Sequence, residues 1–314
     1  PNDYGKTEWT NIPEADAQRI AELARDSFHR HGPLLLVASG RDTISVSSTV
    51  KKLAPESVFV VQIQHPRTCV DRFDLIVTPH HDYYSQTPQG QRQIPWLLRR
   101  WITPREPPSR RVILTVGALH LADSSTLKNA AAVWHHKLDS LAKPFLVVNI
   151  GGPTCGCHYN IDLAMELKDK LKNILWCCGS IRISFSRRTP KKLSDFIVKE
   201  FRSNPKVCIW DGQGANPHMG HLAMADAFVV TADSVSMLSE ACSTGKPVYV
   251  IGAERCTRKF ADFQKRLLEK EMVRPFTGKE DISKMWSYSP LDDASMVAIR
   301  VIEALRERNW RIQA

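Results

Sequence analysis

The sequence predicts an α/β protein of two Rossmann-like domains, each a doubly wound parallel sheet, that face a cleft. The chain has 314 residues, about twice the usual length of one domain. Short β-branched apolar runs alternate with amphipathic stretches, as in parallel sheets flanked by helices. At Asp139–Pro144 a proline follows a helical pattern and precedes a fresh strand, which separates two such series.

The first series supplies one helix and four strands. The helix places Ile20, Leu23, Ala24 and Phe28 on one face. The predicted strands are Leu34–Ala38, Val58–Ile63, Leu75–Val77 and Val112–Val116. Because an average sheet has roughly 5–6 strands, we expect the first domain to be truncated at its N-terminus.

The second series supplies five strands. They are Phe145–Ile150, Ile181–Phe185, Val207–Trp210, Phe228–Thr231 and Val248–Ile251. Helices between and after them carry apolar stripes, including Leu163, Leu167 and Leu171, then Phe196 and Ile197, then Phe260, Phe263, Leu267 and Leu268. A closing helix carries Met296, Ile299, Val301, Ile302 and Leu305. The predicted boundaries are 1–142 for the N-terminal domain, 143–290 for the C-terminal domain and 291–314 for the closing helix. One interpretation is that the closing helix packs back on the N-terminal domain.

Composition excludes several classes of protein. No apolar run approaches the ~20 residues of a membrane-spanning helix. The net charge of +10 is spread over several basic clusters. Such clusters are typical of a solvated face, or of a surface that binds an anionic membrane, a phosphate ligand or an acidic partner. The chain has no RNP-like aromatic motif, zinc-finger spacing or recognition-helix pattern, so we expect no nucleic-acid partner.

The cysteines predict neither a disulfide framework nor a metal site. Eight cysteines in a chain of this length do not suggest a disulfide scaffold. Cys208 and Cys242 fall in predicted strands or helices, so we expect both to be buried, reduced thiols of a cytosolic compartment. The stretch Cys155–His158 contains metal-ligating residue types but lacks the usual spacing and a second pair.

Glycines and arginines follow the strands of the second domain, where open parallel sheets bind ligands. Gly151 and Gly152 come directly after one strand and would let a backbone approach a phosphate or sugar. Arg187 follows the next strand, where a guanidinium suits a diphosphate. Each of these features is also compatible with a purely structural turn.

The segment Ala232–Pro247 has the pattern of a polar loop, a helix, a glycine stop and a new strand. Ser234 or Ser236 would cap the helix, whose N-terminal N–H groups and dipole favour a phosphate. Glu240 lies one turn after Ser236 on the same face, placed for two ribose hydroxyls. The alternative is a capped helix with a surface carboxylate. The possible ligand is a nucleotide diphosphate or a nucleotide sugar.

This segment resembles the donor-sugar helix of GT-B glycosyltransferases, and Gln62–Arg67 resembles a strand of that group that ends in a histidine. Sugar transfer with inversion needs one general base near the acceptor hydroxyl. The candidates are His65, which we prefer, and Asp42, Asp82 and His120. Arg41 and Arg67 would bind an anion in the same cleft, or pair with nearby carboxylates.

A longer set of motifs extends over nearly the whole chain. The motifs are Val60–Arg67, Arg72–Leu75, His81–Tyr84, Trp101–Pro108, Thr115–His120 and Asn216–Leu222. From Pro33 to Arg311 the sequence resembles the plant elongated-mitochondria family of mitochondrial fission factors.

The resemblance implies a function in organelle division. It implies a protein on the cytosolic face of the mitochondrial outer membrane, attached peripherally and with a cytosolic pool, that recruits a dynamin-related GTPase. It implies no established enzymatic activity. The helix around Glu240 would then border a pocket that is inherited from a glycosyltransferase-like fold. The alternative function is that of a GT-B glycosyltransferase that uses a nucleotide-activated sugar donor.

Overall fold

Two separate parallel sheets organise the chain, one of four strands and one of six. The computed structural model describes residues 16–66, 70–82, 95–97 and 110–310. Unit 1 comprises Pro1–Gln86, Trp96–Thr115 and Ala294–Ala314, and unit 2 comprises Thr87–Pro95 and Val116–Asp293. The prediction of an α/β fold with two Rossmann-like parallel sheets is confirmed.

The sheet of unit 1 has the strand order β1-β2-β3-β4 with every pair parallel. Its strands are β1 (Leu34–Ser39), β2 (Val58–Ile63), β3 (Leu75–Pro79) and β4 (Val112–Thr115), and its helices are α1 (Ala17–His31), α2 (Ile44–Leu53) and most of α9 (Asp293–Glu307). β2 and β3 are almost entirely buried, which explains their continuous apolar sequence.

Helix α1 has a clear start and stop but a narrower apolar face than predicted. The Asp16 carboxylate accepts hydrogen bonds from the N–H groups of Gln18 and Arg19, and the helix ends at Gly32, whose φ of 79° suits glycine. Ala21 and Ala24 are buried, whereas Leu23 is 59 % exposed. The expectation that Leu23 faces the core was therefore wrong, because small alanines make the close contact.

The closing helix α9 shows the same kind of difference. Its buried apolar residues are Val297, Val301 and Leu305, which recur every four positions, while Ile299 and Ile302 are exposed. Beyond its end, Arg308 pairs with the buried Asp74 and stacks over the rings of Phe59 and Trp310. These contacts lie within unit 1.

The sheet of unit 2 has the order β10-β9-β8-β5-β6-β7, again with every pair parallel. Its strands are β5 (Phe145–Ile150), β6 (Ser180–Phe185), β7 (Val207–Ile209), β8 (Ala227–Thr231), β9 (Val248–Ile251) and β10 (Arg274–Pro275). Its helices are α3 (Ser124–Leu138), α4 (Ile161–Ile174), α5 (Lys191–Phe201), α6 (His218–Met224), α7 (Val235–Cys242) and α8 (Arg258–Glu269).

The strand order of unit 2 reverses at its centre. From β5 the chain proceeds to β6 and β7 on one side, then crosses to β8, β9 and β10 on the other. In open α/β sheets, the crevice at such a reversal, beyond the carboxyl ends of the strands, is where ligands bind. The loops after β5 and β8 lie at this point, and they carry Gly151, Gly152 and the segment Ala232–Ser234.

The cysteines depart from expectation in two respects. Cys157 and Cys256 form a disulfide across 99 residues of sequence, although the spacing gave no disulfide signal. Cys208 is exposed because β7 is a short strand at the sheet edge, whereas Cys242 is buried as predicted. Within the described ranges, no helix is long and apolar enough to cross a membrane.

Candidate functional site

A network of buried polar groups joins the loops after β5 and β8. The N–H of Gly151 donates to the Thr231 hydroxyl at 2.7 Å, and that hydroxyl donates to Oδ1 of Asp233 at 2.7 Å. The N–H of Gly152 donates to Oδ2 of Asp233 at 3.0 Å. A Cβ at Gly151 would overlap the Asp233 carboxylate, so this close approach requires glycine.

Arg188 completes the network. Its guanidinium donates to Oδ2 of Asp233 at 2.9 Å and to the carbonyl of Gly152 at 3.1 Å. The neighbouring Arg187, which the sequence nominated for a diphosphate, is exposed, and its guanidinium has no hydrogen bond or ion pair within the described residues. The structure therefore brings Gly151 and Gly152 together with Arg188 rather than with Arg187.

Tyr159 anchors the same network from the loop before α4. Its hydroxyl accepts a 2.7 Å hydrogen bond from the N–H of Asp233. Burial raises the pKa of Tyr159 well above its usual value, and the nearby Asp233 charge raises it further. The phenol therefore stays protonated and neutral at any physiological pH.

The start of helix α7 offers donors that the protein does not use. The Ser234 hydroxyl caps the helix by accepting from the N–H of Met237 at 3.4 Å. The N–H groups of Val235 and Ser236 have no acceptor in the described part of the chain, and Ser236 is exposed. Two unpaired N–H groups at a helix N-terminus can bind an anion.

Glu240 lies further along α7 and is already paired. Its Oε2 is 2.8 Å from Nε2 of His218, at the start of α6, and the two side chains are 21 % and 27 % exposed. A ligand diol at Glu240 would therefore compete with His218 for the carboxylate, or share it.

His120 lies near Glu240 within unit 2. Burial lowers the pKa of His120, and the charges of Glu240, Asp293 and Asp292 partly oppose that shift. Its Nδ1 accepts from the N–H of Ala122 at 3.2 Å, which places the proton of the neutral ring on Nε2. Burial also raises the pKa of Asp293.

The remaining candidates lie in unit 1, and the structure describes most of them. Arg41 and Asp42 are exposed in the turn that precedes α2, and His65 is half-buried just beyond β2. Asp82 is half-buried beside His81. Arg67 falls outside the described residues, as do Trp101–Pro108 and the two tyrosines of the motif His81–Tyr84.

Sequence reasoning did not identify several residues of the site. His218 occurred in a motif used for resemblance, and only the fold brings it to Glu240. Asp233 is the central acceptor of the loop network, a role that depends on contacts with Gly152 and Arg188 and that local sequence does not indicate. No cluster of three or more metal-ligating residue types occurs among the described residues.

Comparison with known sequences assigns the family. The sequence model described as "Mitochondrial fission ELM1" matches residues 3–305. The chain is 54 % identical over 310 residues to the mitochondrial fission protein ELM1 of Arabidopsis thaliana, which covers 99 % of this chain and 73 % of that protein. It is also 29 % identical over 300 residues to the uncharacterised protein RP120 of Rickettsia prowazekii (strain Madrid E), covering 91 % and 83 % of the two chains.

Comparison with solved structures supports the fold. The UDP-GlcNAc 2-epimerase of Methanocaldococcus jannaschii superposes with a TM-score of 0.53 at 15 % identity, covering 94 % of this chain and 84 % of the enzyme. The epimerase of Neisseria meningitidis gives 0.51 at 14 % identity, covering 95 % and 82 %. Identities this low establish the GT-B-like fold alone. With a family model that matches most of its length and a relative of 54 % identity, the chain belongs to the mitochondrial fission ELM1 family.

Proposed function

We propose that this member of a mitochondrial fission family acts on the cytosolic face of the mitochondrial outer membrane, where it recruits a dynamin-related GTPase to division sites. The observation that carries the proposal is the 54 % identity to a fission protein over 99 % of the chain. Attachment would be peripheral and reversible, with a cytosolic pool.

The pairing of the site residues favours an adaptor over an enzyme. Asp233 is engaged by Arg188, Thr231 and Gly152, and Glu240 is engaged by His218. Such pairs stabilise the loops of unit 2 without any ligand. An adaptor needs a rigid fold with a defined surface, and these contacts supply rigidity.

An exposed basic face on α5 suits an anionic membrane. Lys192, Lys199 and Arg202 are exposed on or just after this helix, and Arg187 precedes it. None of the four side chains forms an ion pair within the described part of the chain. Each contributes up to about 1 kcal/mol near an anionic lipid surface. We assign this face, Arg187 with Lys192, Lys199 and Arg202, to membrane contact.

The basic cluster around α8 is a weaker candidate, because acidic neighbours neutralise much of it. Arg255 pairs with Asp162 and Glu166. Arg266 pairs with Asp262, and Lys265 with Glu269.

Co-sedimentation with vesicles tests the membrane assignment. We expect binding to vesicles that contain phosphatidylserine and cardiolipin but not to pure phosphatidylcholine. The double variant Lys192→Glu, Lys199→Glu should lose that binding. The control Lys128→Glu, Lys137→Glu carries the same charge change on α3 and should retain it. Equal loss in both variants would contradict a specific face.

A pull-down with a purified dynamin-related GTPase tests recruitment itself. The folded protein should retain the GTPase, and heat-unfolded protein should not. Retention should persist in Glu240→Gln, since the pocket residue is not needed for an adaptor. Absence of binding by the folded protein would count against the proposal.

A second candidate function, a glycosyltransferase that uses a nucleotide sugar, rests on the start of α7. The unpaired N–H groups of Val235 and Ser236 suit a diphosphate, and Glu240 one turn later suits a ribose. Gly151 and Gly152 would border the ligand. The names of the two superposed structures make UDP-GlcNAc the natural first probe.

Calorimetry with UDP, GDP and UDP-GlcNAc tests this candidate. Binding that Glu240→Gln weakens, and that the exposed control Glu269→Gln does not, would establish a ligand site. Product formation abolished by His65→Ala or Asp42→Ala would then establish catalysis. No heat signal with any of the three compounds would reject this second function.

A further inference from the structure

Three cysteines lie together at the carboxyl ends of β5 and β9. Cys157 and Cys256 form the disulfide, and Cys155 precedes Cys157 by two residues. Thr154 and Cys157 exchange backbone hydrogen bonds of 2.9 and 3.3 Å, so Cys155 and Gly156 form the tip of a tight turn. Cys155 is therefore held in the same turn as Cys157, two residues before the disulfide.

The disulfide connects two loops, one of which carries part of the candidate site. The N–H of Thr257 donates to the carbonyl of Gly156 at 2.7 Å, and the N–H of His158 donates to the carbonyl of Arg255 at 3.4 Å. Tyr159, two residues beyond Cys157, accepts from the N–H of Asp233. The bridge therefore fixes the loop that positions the Asp233 network.

The three sulfurs differ in accessibility. Cys157 is 0 % exposed and Cys256 is 7 % exposed, so a thiol reagent in solution has little access to the bridge. Cys155 is exposed. Among the other cysteines, burial raises the pKa of the Cys178 and Cys242 thiols to about 12, which makes them poor nucleophiles. Cys208 is exposed, but it lies on the edge strand β7.

We propose that the Cys157–Cys256 disulfide is a reversible redox lock, which means that it fixes the loop after β5 when it is oxidised and releases it when it is reduced. Cys155 is its entry thiol, the first thiol to exchange with small disulfides of the glutathione class. Disulfides that form in a reducing cytosol are usually transient or redox-sensing. The expectation of reversibility thus rests on the proposed cytosolic location, whereas the role of Cys155 rests on the geometry alone.

The exchange balances in three steps. The Cys155 thiolate attacks glutathione disulfide, forms a mixed disulfide and releases one glutathione thiolate. The Cys157 thiolate then attacks Sγ of Cys155 and releases the second glutathione. Finally the Cys256 thiolate attacks Sγ of Cys157, which forms the bridge and returns Cys155 as a thiolate. Two protein thiols are oxidised and one glutathione disulfide is reduced to two thiols; reduction reverses the sequence.

The test measures bridge formation in purified, folded protein at a series of glutathione ratios. Thiols are alkylated at timed points and counted by peptide mass spectrometry. We expect oxidation of Cys157 and Cys256 as a pair, reversed by excess glutathione. Cys155→Ser should slow both directions roughly tenfold or more, since access limits exchange. Cys208→Ser, which removes the other thiol that is exposed among the described residues, should react at the wild-type rate.

Two results would overturn the proposal. If Cys157 and Cys256 alkylate fully at every ratio, no lock exists. If Cys155→Ser exchanges as fast as wild type, Cys155 is not the entry thiol. Both variants keep the bridge cysteines, and circular dichroism verifies that they are folded. The assay contains neither GTPase nor membrane, so its failure leaves the recruitment proposal standing, and failure of recruitment leaves this result standing.

Discussion

Unit 1 and unit 2 both contain a parallel sheet whose central strands are buried, but the two sheets differ at their edges. In unit 2 the edge strands β7 and β10 are only three and two residues long. In unit 1 the strand β1 lies at the edge of its sheet, and Leu34, Leu35 and Val37 are exposed there. The polar network around Asp233 follows β5 and β8, which are buried at every position and give a precisely positioned site the rigid support that it requires.

Truncation of one core phenylalanine in each unit should give the largest difference in stability between the two units. Phe228→Ala in β8 should lower the free energy of unfolding of unit 2 by about 5 kcal/mol, since neighbours on all sides prevent collapse of the cavity. Phe59→Ala in β2 should cost about 3 kcal/mol, because the Trp310 ring and the long Arg308 side chain that pack against Phe59 can shift into the space. Hydrogen exchange of each unit measures both values. A larger loss for Phe59→Ala would contradict the comparison.

Acid should destabilise unit 2 through His221. Burial lowers its pKa to about 4, so the folded ring stays neutral while the unfolded ring binds a proton below about pH 6.5. Protons therefore favour unfolding, and stability present above pH 6.5 should fall by about 3 kcal/mol as the pH approaches 4. Denaturation of wild type and His221→Leu across this range measures the effect. An unchanged pH slope in the variant would exclude His221 as its source.

Each unit also contains a buried carboxylate that pairs with a basic side chain, Asp233 in unit 2 and Asp74 in unit 1, which allows a pair of variants. Asp233→Ala removes the ion-pair partner of Arg188 and the acceptor of the Gly152 N–H. Asp74→Ala removes the ion-pair partner of Lys51 and Arg308 and the acceptor of the Val60 N–H. Each should cost about 2–3 kcal/mol. Hydrogen exchange should rise around the loop after β5 in the first variant and around β2 in the second. Increases spread over both units from one variant would show that the networks are not local.

Two helix caps should give the smallest effects. The Asp16 carboxylate accepts from Gln18 N–H at 2.9 Å, whereas the Ser234 hydroxyl accepts from Met237 N–H at 3.4 Å. Asp16→Ala should therefore cost about 1 kcal/mol and Ser234→Ala about 0.5 kcal/mol. Urea denaturation monitored by hydrogen exchange resolves the two values. A greater loss at Ser234 would indicate a role for its hydroxyl beyond capping.

The strands could be predicted from the sequence because buried parallel strands are continuous apolar runs, and β2, β5 and β9 have the predicted bounds. The two-residue strand β10 has too little pattern to be recognised. The buried face of a helix is harder to predict than the bounds of a strand, because apolar periodicity does not show which apolar side chains pack against the sheet. Leu23 and Ile299 are exposed for that reason.

The candidate site could be predicted only in part. The cap at Ser234 follows from local sequence, because the donor and acceptor are three residues apart. The choice between Arg187 and Arg188, the pairing of Glu240 with His218 and the bridge from Cys157 all depend on contacts between distant segments. No local pattern encodes those distances, so only the folded chain reveals them.

We propose that the protein promotes fission as an adaptor and does not need its pocket. Mitochondrial length, measured in cells from which the protein has been removed and then restored, shows whether the pocket is needed. Wild type and Glu240→Gln should both restore short mitochondria, with equal protein levels verified by immunoblot. Mitochondria that remain elongated with Glu240→Gln, while wild type restores them, would contradict the account.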